Sequence, residues 1–319
     1  MQALRSAEEI REINTRYHDI AAASYDAKWA IDFGEVGQAQ VLGKLRKLLG
    51  DEFDVVPPRR TCAFPRALEV GAGTGYFSLN LLRAGVVSEA TCTDISPGMV
   101  RTLQSNARRI GLDGVRAITA DAAALPFADE SFDLVLGHAV LHHLPDLERA
   151  FTEFHRVLAP GGRIAFAGEP SELGDRLAAV PKRAARLLAP AWRRALRARP
   201  SAGAADVLPE DELRRELEPH VDVHAFRPED LAALARATGF ARVNVRGEEL
   251  TANWFGWFNR VLESSALHAD VPMLWRRYAF DGYLLLQRVD SSLLEPHLPP
   301  AIFYNLMLTA ARGPSEDRP

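Results

Sequence analysis

The sequence predicts an α/β fold on a largely parallel sheet, with helical segments inserted late in the chain. Three observations carry this. Between Arg66 and Glu169 the apolar period switches repeatedly between two and 3.6, the mark of strands alternating with helices. Punctuation falls where such units need it: Ser96-Pro97 opens one helix and Gly111 follows it, while Pro160-Gly161-Gly162 closes another. The first strand runs into the turn Gly71-Ala72-Gly73-Thr74-Gly75 ahead of a helical pattern.

The elements follow in order. Residues 1–60 read as an N-terminal helical lid and linker: Ile10, Ile13, Tyr17 and Ile20 recur at helical steps, and Pro57-Pro58-Arg59-Arg60 marks the linker, which runs over 50–65. Residues 61–170 form the core, with strands at 66–70, 89–93, 116–120, 132–137 and 163–168 and helices at 76–84, 97–110 and 146–158. Residues 171–225 are an Arg-rich helical insertion broken by Pro181, Pro190, Pro200 and Pro209. Residues 226–249 resume the core with a helix begun at Pro228 and a sixth strand at 241–245. Residues 250–300 are an aromatic helical cap, and 301–319 a closing strand at 302–310 and a tail.

Composition narrows the class. The chain has 319 residues, 47% of them hydrophobic and 25% charged, which excludes disordered and collagenous proteins. A net charge of −4 gives no general pull toward nucleic acid. Two cysteines, Cys62 and Cys92, make neither a disulfide framework nor a metal site and fit a reducing compartment. The polar start does not read as a secretory signal, and no apolar run reaches the ~20 residues of a membrane span. The expectation is a cytoplasmic protein; its oligomeric state is not legible.

The glycine turn gains meaning from two acids. Asp94 ends the second strand, where a carboxylate can accept from both hydroxyls of an adenosine ribose. Asp121 ends the third, placed with the Ala122 N–H to meet an adenine edge. Three such features at successive strand tips point to an adenosyl ligand. A dinucleotide fits poorly, because the third glycine falls one place early for G-x-G-x-x-G and no Tyr-x-x-x-Lys pair exists.

Residues 66–168 resemble the class I S-adenosylmethionine-dependent methyltransferases, specifically the small-molecule group of the "methyltransferase type 11" kind. The resemblance rests on Leu-Glu-Val-Gly-Ala-Gly-Thr-Gly-Tyr-Phe-Ser, Thr-Asp-Ile-Ser-Pro-Gly-Met, Ala-Asp-Ala-Ala-Ala-Leu-Pro-Phe, Leu-His-His-Leu-Pro-Asp and Arg-Val-Leu-Ala-Pro-Gly-Gly. It implies a Rossmann-like, seven-stranded, mostly parallel sheet with helical cap insertions. It implies S-adenosyl-L-methionine as cofactor and S-adenosyl-L-homocysteine as product. Glu69, Gly71 and Gly73, with Ala72 between them, would frame the methionine half; Asp94 would hold the ribose, Ile95 pack on the adenine, and Asp121 and Ala122 read its edge. Gly137 or His138 would offer a carbonyl to the amino group. The N-terminal helix would bring Tyr17, Tyr25 and Trp29 to the same place.

Methyl transfer is an in-line displacement in which positioning does most of the work, and a base is needed only where the nucleophile must lose a proton. The resemblance implies His143 as that base, supported by Glu169. No metal is expected: His138 and His142 have i,i+4 spacing but lack the intervening Glu of a zinc-protease helix. The aromatic cap, with Trp254, Phe255, Trp257, Phe258, Trp275, Tyr278, Phe280 and Tyr283, suggests a small apolar or aromatic acceptor, methylated at oxygen in preference to carbon or nitrogen. Two other classes stay open: a cofactor-binding protein without catalysis, and a cyclase or decarboxylase on the same fold. The basic stretch from Lys182 to Arg199 reads as a solvated face, with a peripheral contact to an acidic membrane surface or anionic carrier as the sharper alternative.

Overall fold

The computed structural model describes residues 6–29, 31–50, 64–112, 114–201, 213 and 216–313. Most of the expected linker, Cys62 and Pro209 lie outside them. Seven strands form one sheet in the order β3-β2-β1-β4-β5-β7-β6. They are β1 (Phe64–Val70), β2 (Val87–Asp94), β3 (Val115–Thr119), β4 (Phe132–His138), β5 (Leu158–Pro170), β6 (Phe240–Glu248) and β7 (Asn305–Arg312). The first five pair in parallel, and β7 inserts antiparallel between β5 and β6. The order reverses at the β1–β4 boundary, where an open sheet of this kind leaves a crevice beyond its carboxyl ends.

The helices cover both faces. They are α1 (Ala7–Ala21), α2 (Tyr25–Trp29), α3 (Glu35–Leu49), α4 (Tyr76–Arg83), α5 (Pro97–Arg109), α6 (Leu147–Val157), α7 (Glu172–Leu196), α8 (Pro228–Ala237), α9 (Thr251–Ser264) and α10 (Met273–Val289). One apolar layer joins α3, α4 and α5 to the sheet through Val41, Leu45, Leu79, Leu81, Leu103 and Leu134. The opposite layer is aromatic: Phe151, Phe154 and Phe166 pack together with Phe240 at its edge. Ser96 caps α5 by accepting from the Met99 N–H at 3.1 Å, with Pro97 at the first helical position as the sequence suggests.

Four expectations need correction. The N-terminal pattern is three helices rather than one: a tighter turn over Ala22–Ser24 parts α1 from α2, and Asp32 turns the chain into α3 by accepting from the Gly34 and Gly37 N–H groups at 2.9 and 2.8 Å. Phe64 and Pro65 belong to β1, not to the linker. Pro181 and Pro190 do not break the insertion; both lie inside the 25-residue α7. Ala185 and Ala189 on its inner face bury against Leu262 of α9, which holds the helix across the lost backbone hydrogen bonds. The closing strand begins three residues later than expected, since Pro299-Pro300 set a helical turn over Pro300–Ile302. Among the described residues no helix is long and apolar enough to cross a membrane.

Candidate functional site

One cavity of about 1240 Å³ lies over the carboxyl ends of β1, β2 and β4, and residues from the N-terminal helices, the sheet tips and the cap line it. Its floor is the glycine turn. Gly71 has φ of 61°, and a Cβ there would stand 2.3 Å from a Val140 methyl, so only glycine lets β1 turn beneath that residue. At Gly73, φ 52°, a Cβ would find only the Tyr25 ring at 4.0 Å, which leaves the main chain bare toward the cavity.

The two acids hold this floor in place. Asp94 Oδ2 accepts from the Gly73 N–H at 2.8 Å, and its Oδ1 accepts from the Ser96 N–H at 2.9 Å. Burial raises its pKa against those hydrogen bonds and the nearby His18. Asp121 Oδ1 accepts from the Ala123 N–H at 2.9 Å, and its Oδ2 pairs with Arg11 of α1 at 2.8 Å. Glu69 sits under the turn and accepts from the Ser78 N–H at 2.9 Å; burial pushes it up to about 7. Tyr25 is pushed up to about 12, first by burial and then by Asp94 and Asp26, and stays a hydroxyl donor.

Glu69, Gly71, Ala72, Gly73, Asp94, Ile95, Asp121, Ala122, His138 and Tyr25 all line the cavity. Gly137 packs against Val140 and Phe166, so of the two carbonyl candidates His138 is the one in the wall. The His138 ring stacks on Phe77 at 4.9 Å, and burial pushes it down to about 3. Tyr17 and Trp29 also reach the cavity from the N-terminal helices.

The histidine pair departs from expectation. Glu169, the next-to-last residue of β5, does not meet His143. Its Oε2 accepts from His142 Nδ1 at 2.7 Å, while Oε1 accepts from the Val140 and Leu141 N–H groups at 2.9 and 3.0 Å. Burial alone would raise Glu169, but His142 and these donors hold it below the usual carboxylate range. Burial alone would lower His142, yet Glu169 keeps it above the ordinary histidine value. His143 donates from Nδ1 to the Val221 carbonyl at 3.0 Å and is held well below that value by burial and by His142. Both rings line the cavity.

Ligand atoms of His142, His143 and Asp222 lie within 4.8 Å of one another, a set that could hold a metal ion and that the sequence reading did not anticipate. Each histidine already engages its Nδ1 with a protein acceptor, so the set as built is a hydrogen-bonded network.

The aromatic cap divides. Trp257, Phe280 and Tyr283 face the cavity, whereas Trp275 packs on Trp192 at 5.2 Å and Phe255 on Tyr278 at 5.5 Å. Missed entirely were the charges that join distant segments: Arg11 on Asp121, and Lys44 on Glu248 and Glu249. No local pattern marks them, because each partner is set by tertiary folding.

The site fits an adenosyl ligand on its own geometry, with a bare glycine bend and acceptor oxygens at two neighbouring strand tips. Comparisons agree. Residues 68–166 match a family model described as a methyltransferase domain. A malonyl-[acyl-carrier protein] O-methyltransferase of Geobacter sulfurreducens is 35% identical over 228 residues, 68% of this chain and 78% of that one. One of the same name from Methylococcus capsulatus is 41% identical over 147 residues, 46% of this chain and 48% of its own length. The match thus spans about half of the Methylococcus relative. In fold, the chain is similar to phosphoethanolamine N-methyltransferase 2 of Haemonchus contortus in complex with S-adenosyl-L-methionine, with a TM-score of 0.57 and 16% identity over 98% of this chain and 61% of that one.

Proposed function

The chain belongs to the class I S-adenosylmethionine-dependent methyltransferases, and we propose that it methylates an oxygen of a small acceptor with a mainly apolar body, using His142 as the proton acceptor. S-Adenosylmethionine, when bound, supplies a methyl group made electrophilic by its sulfonium. Gly71, Gly73, Asp94, Asp121 and Tyr25 would hold it, and the remaining work falls to the protein's own groups. The aromatic walls from α2, α9 and α10 exclude water and orient the acceptor.

The observation that carries the assignment is the 2.7 Å bond from His142 Nδ1 to the fully buried Glu169. A carboxylate on Nδ1 fixes the tautomer, so Nε2 carries the lone pair, with Asp222 Oδ1 3.7 Å away at its edge. That nitrogen can accept the proton an acceptor hydroxyl loses as its oxygen takes the methyl group. His142 replaces His143 in this role because Glu169 reaches only the former.

The experiment is turnover with an acceptor that carries a hydroxyl, read as S-adenosylhomocysteine release. His142→Gln should lower kcat by about 100-fold while calorimetry gives unchanged S-adenosylhomocysteine affinity. The similarity to malonyl-[acyl-carrier protein] O-methyltransferases supports a second reading, in which an acyl carboxylate, already ionised, takes the methyl group. No base is then needed, and His142→Gln would leave kcat intact.

A further inference from the structure

The cavity wall contributed by α9 repeats at helical spacing: Asn253, Gly256, Trp257, Arg260 and Glu263 all face inward. Among the described residues four lysine or arginine side chains line the cavity, and three are committed. Arg11 is paired with Asp121, Lys28 with Glu218, and Lys44 with Glu248 and Glu249. Arg260 is the exception. Among the described residues it makes no ion pair or hydrogen bond, although Glu218 and Glu263 are near enough to act on its charge.

What holds Arg260 is aromatic. Its guanidinium carbon lies 4.2 Å from the centre of the Trp29 ring, which comes from the N-terminal helices, and 5.9 Å from that of Trp257, on its own helix. Lys182 of α7 stands 4.2 Å from the Trp257 ring in turn, so the ladder crosses three segments of the lid. A guanidinium held over indole by its charge, with no hydrogen bond of its own, keeps its N–H donors for another partner. The natural partner for such a fork is a planar carboxylate bound through both oxygens.

A second polar group on the same stripe is also unsatisfied. Asn253 Oδ1 is buried without a hydrogen-bond partner and stands seven residues before Arg260, roughly 10 Å along the helix. It requires an N–H or O–H donor from whatever lies in the cavity.

We infer that Arg260 binds a carboxylate carried by the methyl acceptor, and that Asn253 accepts from a donor farther along the same molecule. This rests on the reading of the cavity as the acceptor site. It narrows the acceptor to an acid with an apolar body rather than a neutral phenol or quinone.

The test uses the full chain loaded with S-adenosylhomocysteine and three eight-carbon probes: octanoate, octanamide and octyl phosphate. Calorimetry should show octanoate binding about tenfold more tightly than the other two. Arg260→Met should abolish that preference, and Arg260→Lys, which keeps the charge but loses the fork, should restore only part of it. Affinity for S-adenosylhomocysteine should be the same in all three proteins, which also certifies that the variants are folded. Equal binding of octanoate and octanamide, or no octanoate binding at millimolar concentration, overturns the inference. So does a preference for octyl phosphate, which would make the site one for phosphate. Loss of S-adenosylhomocysteine affinity in Arg260→Met would assign the residue to the cofactor instead, whereas failure of the unmodified chain to bind S-adenosylhomocysteine would strike the methyltransferase reading itself.

Discussion

A carboxylate sealed from water has to be matched by donors, and Glu169 is matched by three consecutive backbone N–H groups, from Val140, Leu141 and His142, and by the His142 ring. This couples the conformation of the turn after β4 to the tautomer of one histidine. In Glu169→Gln the amide oxygen can still serve Val140 and Leu141, but its NH₂ then faces the ring. His142 Nδ1 becomes an acceptor, Nε2 carries the proton, and the free lone pair is lost. We expect kcat to fall by about 100-fold. The pH profile gives a sharper reading of the same pair. Glu169 keeps the proton on His142 to a higher pH than an ordinary histidine. A base acts only when deprotonated, so the rate should climb through an inflection above 6.5, and in Glu169→Gln any residual activity should inflect at lower pH. Identical inflections in the two proteins would remove Glu169 from the proton path. Much of this site is legible in sequence. The turn Gly71–Gly75 and the acids at Asp94 and Asp121 stand next to strand ends that periodicity locates. The choice between His142 and His143 is not, because two adjacent residues on a single helical turn are separated only by where β5 delivers its carboxylate.

At the scale of elements, strand positions follow from apolar period and the helix entries from caps, whereas the insertion misleads. Pro181 and Pro190 read as breaks because each removes an N–H and crowds the carbonyl one turn back. The structure keeps one helix because the energy is decided elsewhere, by two small residues, Ala185 and Ala189, that let α7 lie close on α9. Local preference and packing therefore oppose each other in α7, and this makes a prediction. Pro190 is exposed, so Pro190→Ala restores a backbone hydrogen bond to the helix without disturbing the α9 contact. It should stabilise the protein by about 1–3 kcal/mol. Chemical denaturation checks this, and an unchanged midpoint would mean that the helix has already absorbed the proline through a local bend. The closing strand fails for a related reason. The apolar residues from Ile302 to Leu308 suit a strand throughout, yet Phe303 is buried in a helical-turn exit and pairing begins only at Asn305.

The whole molecule depends on charges that no window of sequence could associate. Lys44 and Lys47 of α3 meet Glu248 and Glu249 at the end of β6, and Lys47 also meets Glu295 beyond α10 at 2.9 Å. Tyr283 and Gln287 of α10 donate to Glu249 at 2.7 and 2.8 Å. One polar cluster thus fastens the N-terminal lid, the sheet edge and the cap around the cavity. Burial alone would lower Lys44, but Glu248 and Glu249 hold it above its ordinary value, so it is charged across the working pH range. Removing one member of such a cluster leaves its partner as an uncompensated buried charge, which costs far more than the pair contributes in net terms. Lys44→Met should therefore destabilise the fold by about 3–5 kcal/mol, even though the new side chain fills much of the same space. Adding Glu249→Gln should recover most of that loss, because Glu248 and Glu295 keep Lys47 and the carboxylate that paired with Lys44 alone is neutral. Denaturation of the single and double variants decides between two origins of stability. If the double variant is no better than the single one, the cluster acts through Lys44 packing rather than through charge. If it recovers, the cavity is held closed by electrostatic matching between segments some two hundred residues apart in the chain.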